Sequence, residues 1–575
     1  MEIKKRSYVT LNVLTSRYGL TNNLIKRFFP KPELRKNPYY RHAAPQKVWP
    51  REVVEEILQD PELQAELAKM KARRAREQAK ADSIREYLLS FDIENLRQKA
   101  QQLDRRFVLH IGPTNSGKTH DALEVLKKAD SGLYLGPLRL LALEMFDRLN
   151  ADDCPCNLLT GEEYIETEGA MHTASTIELC DFDSRYEVAV IDEAQMMTDP
   201  FRGDRWVKAL YCVDAALVEV CLAPEAENLV TEIISGFGAS YEIVRHERLA
   251  PLYYKGVFKS IKDAEPGDAL IVFSRRAVLA VSAELDHRGI PSSVIYGALP
   301  PASRREEVRR FSAGETQVVV ATDAIGMGIS LPIKRVVFCE TRKYDGKHTR
   351  KLLSPEIKQI AGRAGRFGIY DEGEVLTMYD GKLVESALAQ PEHQEERLTL
   401  PFPGEAVHSE FKLDELMEAW NSLPNEPGFV RANMSEAIEL YKELKPIVKK
   451  TDRAVLYQLI TCPLDTKDDA IVGYWRECCF AIYANHVLPE PFAGTATLEE
   501  CERRYKMLDV RHQLLRRIGI EEDRMQEKLM LCELINNFLK EDKDKYLKHC
   551  SRCGRILPAT SEYSLCEKCF RRMWG

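Results

Sequence analysis

Apolar and polar residues follow three different rhythms along this chain. Over residues 8–58 the apolar positions recur at helical spacing, through Leu14, Tyr18, Leu20, Leu24, Ile25, Phe28 and Phe29. The stretch reads as helix, Gly19-containing turn, helix, then Pro30 and Pro32, an Asn37-Pro38 turn, and a helix from near Pro50. That pattern suits a helix-turn-helix module and equally a small helical packing module. Residues 59–106 are dense in Ala, Glu, Lys, Arg and Gln, which predicts a long charged helix or helical pair serving as a spacer. From 107 to 245 short apolar runs alternate with helical patterns, the rhythm of a parallel α/β sheet. Strands are predicted at 132–135, 188–191 and 217–222. Residues 252–380 repeat the style, with strands at 269–273, 293–296, 317–321, 335–338 and 374–378. Beyond 381 strand-like runs are few. Pro401, Pro403, Pro424 and Pro427 break 396–428, and amphipathic helices are predicted at 432–449, 452–461, 468–486, 497–517 and 521–541.

These rhythms divide the chain into six expected regions: 1–58 helical module, 59–106 linker, 107–248 first α/β lobe, 249–395 second α/β lobe, 396–545 helical region, 546–575 cysteine tail. A length of 575 residues agrees with roughly three to five domains. Hydrophobic content of 44% and charged content of 30% are those of an ordinary globular protein. The net charge of −7 advertises no global affinity for nucleic acid, although a local basic groove is compatible with it. No run of about 18 apolar residues exists, so no membrane partner is expected. The first thirty residues are basic and acid-poor, as a mitochondrial presequence would be, but they are patterned for folding and lack a secretory core.

The chemistry begins at Phe107–Thr119. A short apolar strand runs into Gly112-Pro113-Thr114-Asn115-Ser116-Gly117-Lys118-Thr119 and then into a helical pattern. This is the phosphate-binding loop in its strand–loop–helix setting. Its backbone N–H groups turn toward phosphate oxygens, Lys118 reaches the β- and γ-phosphates, and the Thr119 hydroxyl holds Mg²⁺. A second apolar strand ends in Asp192-Glu193-Ala194-Gln195. Asp192 is placed to hold Mg²⁺ through water, Glu193 to polarise the attacking water, and Gln195 to sense the nucleotide. In the second lobe, Gln359-Ile-Ala-Gly-Arg363-Ala-Gly-Arg366 puts two arginines three residues apart, so that they share a helical face. Such arginines can stabilise charge on a transferring γ-phosphate.

Together these strings resemble superfamily 2 helicases, and more closely the Suppressor-of-Var family of RNA helicases known from the mitochondrial RNA degradosome, with bacterial relatives. Motif I is matched by 112–119, motif Ia by 136–144, motif II by 192–195, motif IV by 273–276, motif V by 321–328 and motif VI by 359–366. Leu159-Thr-Gly-Glu162 and 172–178 resemble the strand-contacting motifs between them. The resemblance implies two RecA-like lobes and an ATP-dependent helicase moving 3′ to 5′ on RNA. It implies catalysis by Lys118, Glu193, Gln359, Arg363 and Arg366, and a nucleic-acid track lined by Pro137, Arg139, Thr176 and Thr322. One departure is visible. Where the family carries Cys-Gly-Asp or Cys-Gly-Glu, this chain has Cys221-Leu-Ala-Pro-Glu225. No adenine-reading glutamine motif precedes Gly112, so weak discrimination among nucleoside triphosphates is expected. A DNA translocase with the same motor remains a competing reading, as does a nucleotide-switched scaffold that recruits a nuclease.

The tail holds two Cys-x-x-Cys pairs, Cys550/Cys553 and Cys566/Cys569. Four thiolates at that spacing predict one structural Zn²⁺ on two knuckle turns, with Gly554 completing the first and His549 a bystander. Arg552, Arg555, Lys568, Phe570, Arg571, Arg572 and Trp574 would suit contact with nucleic acid or with protein. The remaining cysteines form no disulfide framework, which favours a reducing compartment. A bacterial cytoplasm is expected, with the mitochondrial matrix behind it.

Overall fold

The computed structural model describes the chain apart from residues 1–7, 37–43, 92, 162, 327–330, 346–347, 367, 392–394, 396, 426–427, 448–451, 521, 542, 562 and 575, and apart from the side chains of 573 and 574. The expected Asn37-Pro38 turn, Glu162, Met327, Gly328, Phe367 and the Trp574 side chain therefore lie outside the described residues. Two compact units are present, residues 1–90 and 91–575.

The first unit is built as β1 (Tyr8–Thr10), α1 (Leu11–Ser16), α2 (Asn22–Phe28), β2 (Glu33–Arg35), β3 (Gln46–Pro50), α3 (Arg51–Ile57) and α4 (Pro61–Leu89). Thr10 and Thr21 cap α1 and α2 by accepting from Val13 N–H and Leu24 N–H. Gly19, at φ +69°, makes the turn between them. Leu14, Leu24, Ile25, Phe29, Trp49, Val54 and Leu63 form one buried core. The three strands pair antiparallel in the order β1-β3-β2. The helical pattern thus conceals a small sheet, whose three-residue strands β1 and β2 are too short to show a period of two. The charged stretch 59–106 forms a pair of helices, and the boundary between the two units falls between them. Pro61–Leu89 belongs to the first unit, and α5 (Ile93–Gln101) to the second.

In the second unit, lobe 1 contains β4 (Arg106–Ile111), α6 (Lys118–Leu126), β5 (Gly132–Gly136), α7 (Arg139–Ala151), β6 (Cys156–Leu159), β7 (Tyr164–Ile165), β8 (His172–Thr176), β9 (Arg185–Ile191), α8 (Gly203–Cys212), β10 (Asp214–Leu222), α9 (Glu227–Gly236) and β11 (Ser240–Arg245). The sheet order is β11-β4-β10-β9-β5-β8-β6-β7, parallel except for the β6–β7 pair. Val188, Val190 and Cys221 from the sheet pack on Leu123 and Leu126 of α6. Burial on both faces is what a parallel sheet requires. The motif residues at 112–119, 137–139 and 192–193 follow the carboxyl ends of β4, β5 and β9, the edge where α/β sheets bind ligands.

Lobe 2 contains β12 (Leu252–Val257), β13 (Asp268–Ile271), α10 (Arg275–His287), β14 (Ser292–Ile295), α11 (Pro301–Ser312), β15 (Val318–Ala321), β16 (Arg335–Phe338), a β17–β18 hairpin (Arg342–Tyr344, Thr349–Lys351), α12 (Ser354–Ala361), β19 (Gly373–Thr377) and α13 (Gly381–Ala389). Its parallel sheet runs β12-β19-β16-β13-β15-β14. Then follow β20 (Leu398–Leu400), α14 (Leu413–Ser422), β21 (Phe429–Arg431), α15 (Ser435–Glu443), α16 (Arg453–Ile460), α17 (Asp469–Ala484), α18 (Leu498–Arg517), α19 (Met525–Glu541) and α20 (Glu567–Trp574). Tyr505, Leu508, Leu531 and Ile535 of α18 and α19 share a core with Leu270 and Val320 of lobe 2, and Ala559 of the tail joins it. The C-terminal helices are thus continuous with lobe 2 in packing. Among the described residues, no helix is long and apolar enough to cross a membrane.

Candidate active site

The phosphate loop leaves β4 and enters α6 through Gly117, at φ +86°, and Asn115, at φ 64°. A Cβ on Gly112 would lie 2.4 Å from the His246 carbonyl, so only glycine allows this approach. The Lys118 ammonium donates to the Gly112 and Pro113 carbonyls at 2.6 and 2.7 Å, which holds it over the loop. The Ser116 hydroxyl is buried with no hydrogen-bond partner. A buried orphan of this kind in a loop of N–H groups is suited to a phosphate oxygen.

Asp192 is buried at the end of β9. Its Oδ1 accepts from the Thr119 hydroxyl at 3.2 Å and its Oδ2 from the Tyr134 hydroxyl at 2.8 Å. Burial, reinforced by the Glu193 charge, pushes the Asp192 carboxyl up to about 6. A nearby cation would reverse that penalty, so Asp192 with Thr119 suits Mg²⁺. Glu193 adopts φ 51°, uncommon for a residue with a Cβ, and accepts from the Gln195 amide. Gln195 in turn accepts from the Ala223 N–H at 3.1 Å. The unusual Cys221-Leu-Ala-Pro-Glu225 segment is therefore still wired to Asp192-Glu193, through backbone. From Glu225 the contact continues, because its carbonyl accepts from Glu395 N–H at 2.7 Å.

Lobe 2 presents the other wall. Gln359 lies on α12 beside Gly326. Arg363 follows α12 and donates through Nε to the Gly326 carbonyl at 3.1 Å. Burial lowers its pKa, against the opposing pull of Glu193, Glu144 and Asp192 of lobe 1. Glu144, on α7, is pushed up by burial and held back by Arg366 and Arg363. Both arginines thus lie within electrostatic reach of carboxylates of the opposite lobe.

Arg248, in the connector between lobes, bonds to both walls, and the motif pattern does not reveal it. Its guanidinium donates to Thr114 O at 3.0 Å, Gly362 O at 2.9 Å and Ala250 O at 2.7 Å, and also to Ala364 O. Burial, with Arg363 adding repulsion, lowers its pKa to about 10, so it stays charged at neutral pH. Tyr134 likewise lies outside the motifs, and Glu144, the last residue of the motif Ia string, has no role legible there. All three act on groups distant in sequence, and the only signal for Arg248 is a charge in a short connector.

A separate cavity of 1520 Å³ lies among lobe 1, lobe 2 and the C-terminal helices. Pro137, Arg139 and Thr176 line it, together with Lys208, Arg304 and Arg517. Arg139 is tied to Asp509 of α18 at 3.1 Å. Thr322 is not among the lining residues. It is buried, and its hydroxyl accepts from Ala324 N–H, capping the turn that follows β15. The geometry here sets Thr322 apart from the other three expected track residues.

In the tail, the four sulfurs of Cys550, Cys553, Cys566 and Cys569 lie within 4.8 Å of one another. Zn–S bonds of about 2.3 Å place tetrahedral sulfurs about 3.8 Å apart, so the cluster has the right dimensions. Gly554, at φ +69°, closes the first knuckle by donating to Cys550 O at 2.9 Å. The His549 Nδ1 is engaged with Leu547 O and stands outside the cluster.

Residues 94–246 match the DEXQ-box helicase domain of Suv3, and 253–368 match the helicase conserved C-terminal domain. Lobe 1 is thus a Suv3-type DEXQ-box helicase domain and lobe 2 a helicase C-terminal domain. This family implies ATP and Mg²⁺ as ligands of the site just described. The Suv3-type region is 43% identical over 311 residues to the mitochondrial DExH-box ATP-dependent RNA helicase DExH16 of Arabidopsis thaliana, covering 53% of this chain and 54% of that one. It is 40% identical over 312 residues to mitochondrial ATP-dependent RNA helicase SUPV3L1 of Mus musculus, covering 52% and 40%. The Homo sapiens protein of that name is 40% identical over 307 residues, covering 51% and 39%. The chain thus spans about half or less of the length of these relatives. All three carry a mitochondrial designation, which overturns the expectation of a bacterial cytoplasm. That expectation rested on missing apolar segments, and a matrix protein lacks them too.

Proposed function

We propose that this chain is an ATP-dependent RNA helicase whose hydrolytic site is assembled between its two lobes, and that it works in the mitochondrial matrix. One observation carries the reading: the phosphate loop and the arginine loop touch, through Asn115 Nδ2 to Gly365 O at 2.7 Å and through Arg248 to both.

In this reading Gly112–Thr119 cradle the phosphates and Lys118 neutralises the β- and γ-oxygens. Thr119 and Asp192 hold Mg²⁺, which when bound supplies charge neutralisation between phosphates. Glu193 orients the attacking water. Gln359, Arg363 and Arg366 stabilise charge on the γ-phosphoryl group, and they reach it only when lobe 2 is closed on lobe 1. Single-stranded RNA passes through the 1520 Å³ cavity past Pro137, Arg139 and Thr176, gripped by its phosphates, with movement 3′ to 5′ as the family resemblance implies. Cys550, Cys553, Cys566 and Cys569 hold one structural Zn²⁺ that folds the tail. The direct test is ATP turnover with and without single-stranded RNA. Stimulation that Lys118→Ala abolishes supports the reading, and turnover indifferent to RNA contradicts it.

A further inference from the structure

The motor motif residues at 112–366 all lie outside the N-terminal unit, whose topology and charge are distinctive. Helices α1 and α2 are joined by the tight Gly19 turn. The chain then forms the antiparallel β2–β3 ribbon, which is closed by β1 in the order β1-β3-β2. This is a helix-turn-helix followed by a wing. The second helix is sharply two-faced. Leu24 and Ile25 are buried in the core, whereas Asn22, Asn23, Lys26 and Arg27 are exposed on one side. These are the amide and basic side chains that read bases and phosphates. Lys31, Lys36 and Lys47 add exposed positive charge on and beside the wing, where Arg35 is paired with Glu33.

The charge asymmetry is independent of that topology. Residues 1–51 contain twelve Lys or Arg and two acidic residues, in a chain whose net charge is −7. A segment so basic in an acidic protein is the electrostatic footprint of a polyanion partner.

We propose that the N-terminal unit is a winged helix-turn-helix that binds duplex nucleic acid, with α2 and the wing against the sugar–phosphate backbone. The shared chemistry is the duplex phosphate array, which DNA and RNA both supply. A B-form major groove, about 12 Å wide, admits α2, whereas the narrow A-form groove confines it to phosphates. The proposal does not rest on the helicase reading, because it concerns surfaces outside the motor.

The experiment uses the full chain and blunt 20-base-pair duplexes, one of DNA and one of RNA, without tails and without nucleotide. The double variant Lys26→Glu/Lys47→Glu changes only exposed side chains. Its ATP turnover in the absence of nucleic acid should equal that of the parent, which reports an intact motor. Its affinity for at least one duplex should fall about tenfold or more. The slope of log affinity against log salt should flatten by about 2, one phosphate contact per lysine. A larger loss on DNA identifies groove entry, and equal losses identify a phosphate-only grip. Unchanged affinity and salt slope for both duplexes overturn the proposal and leave the unit as a protein-packing module.

Discussion

The Asn115 amide donates to the Gly365 carbonyl at 2.7 Å, so the phosphate loop of one lobe is hydrogen-bonded to the arginine loop of the other. Neither partner is free to relax. Gly365 sits at φ +71°, and a Cβ there would lie 2.6 Å from the Gly373 nitrogen. Asn115 is itself held at φ 64°. A displacement of lobe 2 must therefore be felt where the nucleotide binds.

Arg248 carries most of that coupling. Arg248→Ala leaves the part-buried carbonyls of Thr114, Gly362 and Ala364 without this donor. Charged hydrogen bonds are each worth about 1.5–3 kcal/mol. RNA-stimulated turnover should fall at least about tenfold, with the smaller change in nucleotide affinity. Arg248→Lys should not rescue it, because an ammonium lacks the planar fork that spans these acceptors. Steady-state kinetics beside equilibrium nucleotide binding checks this.

Arg366→Ala should leave nucleotide binding largely intact and reduce turnover by about 10³-fold or more, as for arginines that act on the transferring phosphoryl group. Loss of binding with an unchanged rate for bound nucleotide would contradict the assignment of Arg366 to the facing lobe.

These expectations differ in how far they could be read from sequence. The phosphate loop and Asp192-Glu193 are contiguous strings on predicted strands, so residue order alone exposes them. Arg248 has backbone carbonyls as partners, and carbonyls leave no residue-type signature. Strand β8, His172-Thr-Ala-Ser-Thr176, carries no strand signal because its residues are mostly polar, although it is largely buried between β5 and β6. The N-terminal sheet escaped because short strands carry no period. At the Cys221-Leu-Ala-Pro-Glu225 departure the link from Gln195 runs to the Ala223 backbone, which side-chain identity does not encode.

Glu356 gives a pH prediction. Hydrogen bonds from Arg350, Leu353 N–H and Lys343 outweigh burial and hold its carboxyl at about 2 against an ordinary 4.5. The folded pKa is lowered, so the stabilisation is present above about pH 4.5 and is lost as pH falls toward 2. At neutral pH it amounts to at most about 3 kcal/mol. Glu356 also caps α12, the helix that bears Gln359. Glu356→Gln should lower thermal stability at pH 7, and the gap from the parent should close as pH falls toward 2. A pH-independent gap would contradict this.

Metal analysis of the purified chain should find about one equivalent of zinc, and Cys566→Ser should lose it. The tail is docked by Ala559 N–H on Glu284 at 2.7 Å, so its loss should also raise protease sensitivity beyond residue 546. Substantially less than one equivalent in the parent would count against four-thiolate ligation.

ATP and GTP should support turnover at comparable rates, since no adenine-reading motif precedes the phosphate loop. A large preference for ATP would refute that.

The most direct measurement is displacement of a strand from a tailed RNA duplex, with a tailed DNA duplex and the Lys118→Ala variant beside it. ATP-dependent displacement of RNA from a 3′-tailed duplex, lost in Lys118→Ala, is the expected result. Displacement of DNA alone, or RNA-stimulated hydrolysis with neither duplex opened, would contradict the RNA helicase assignment.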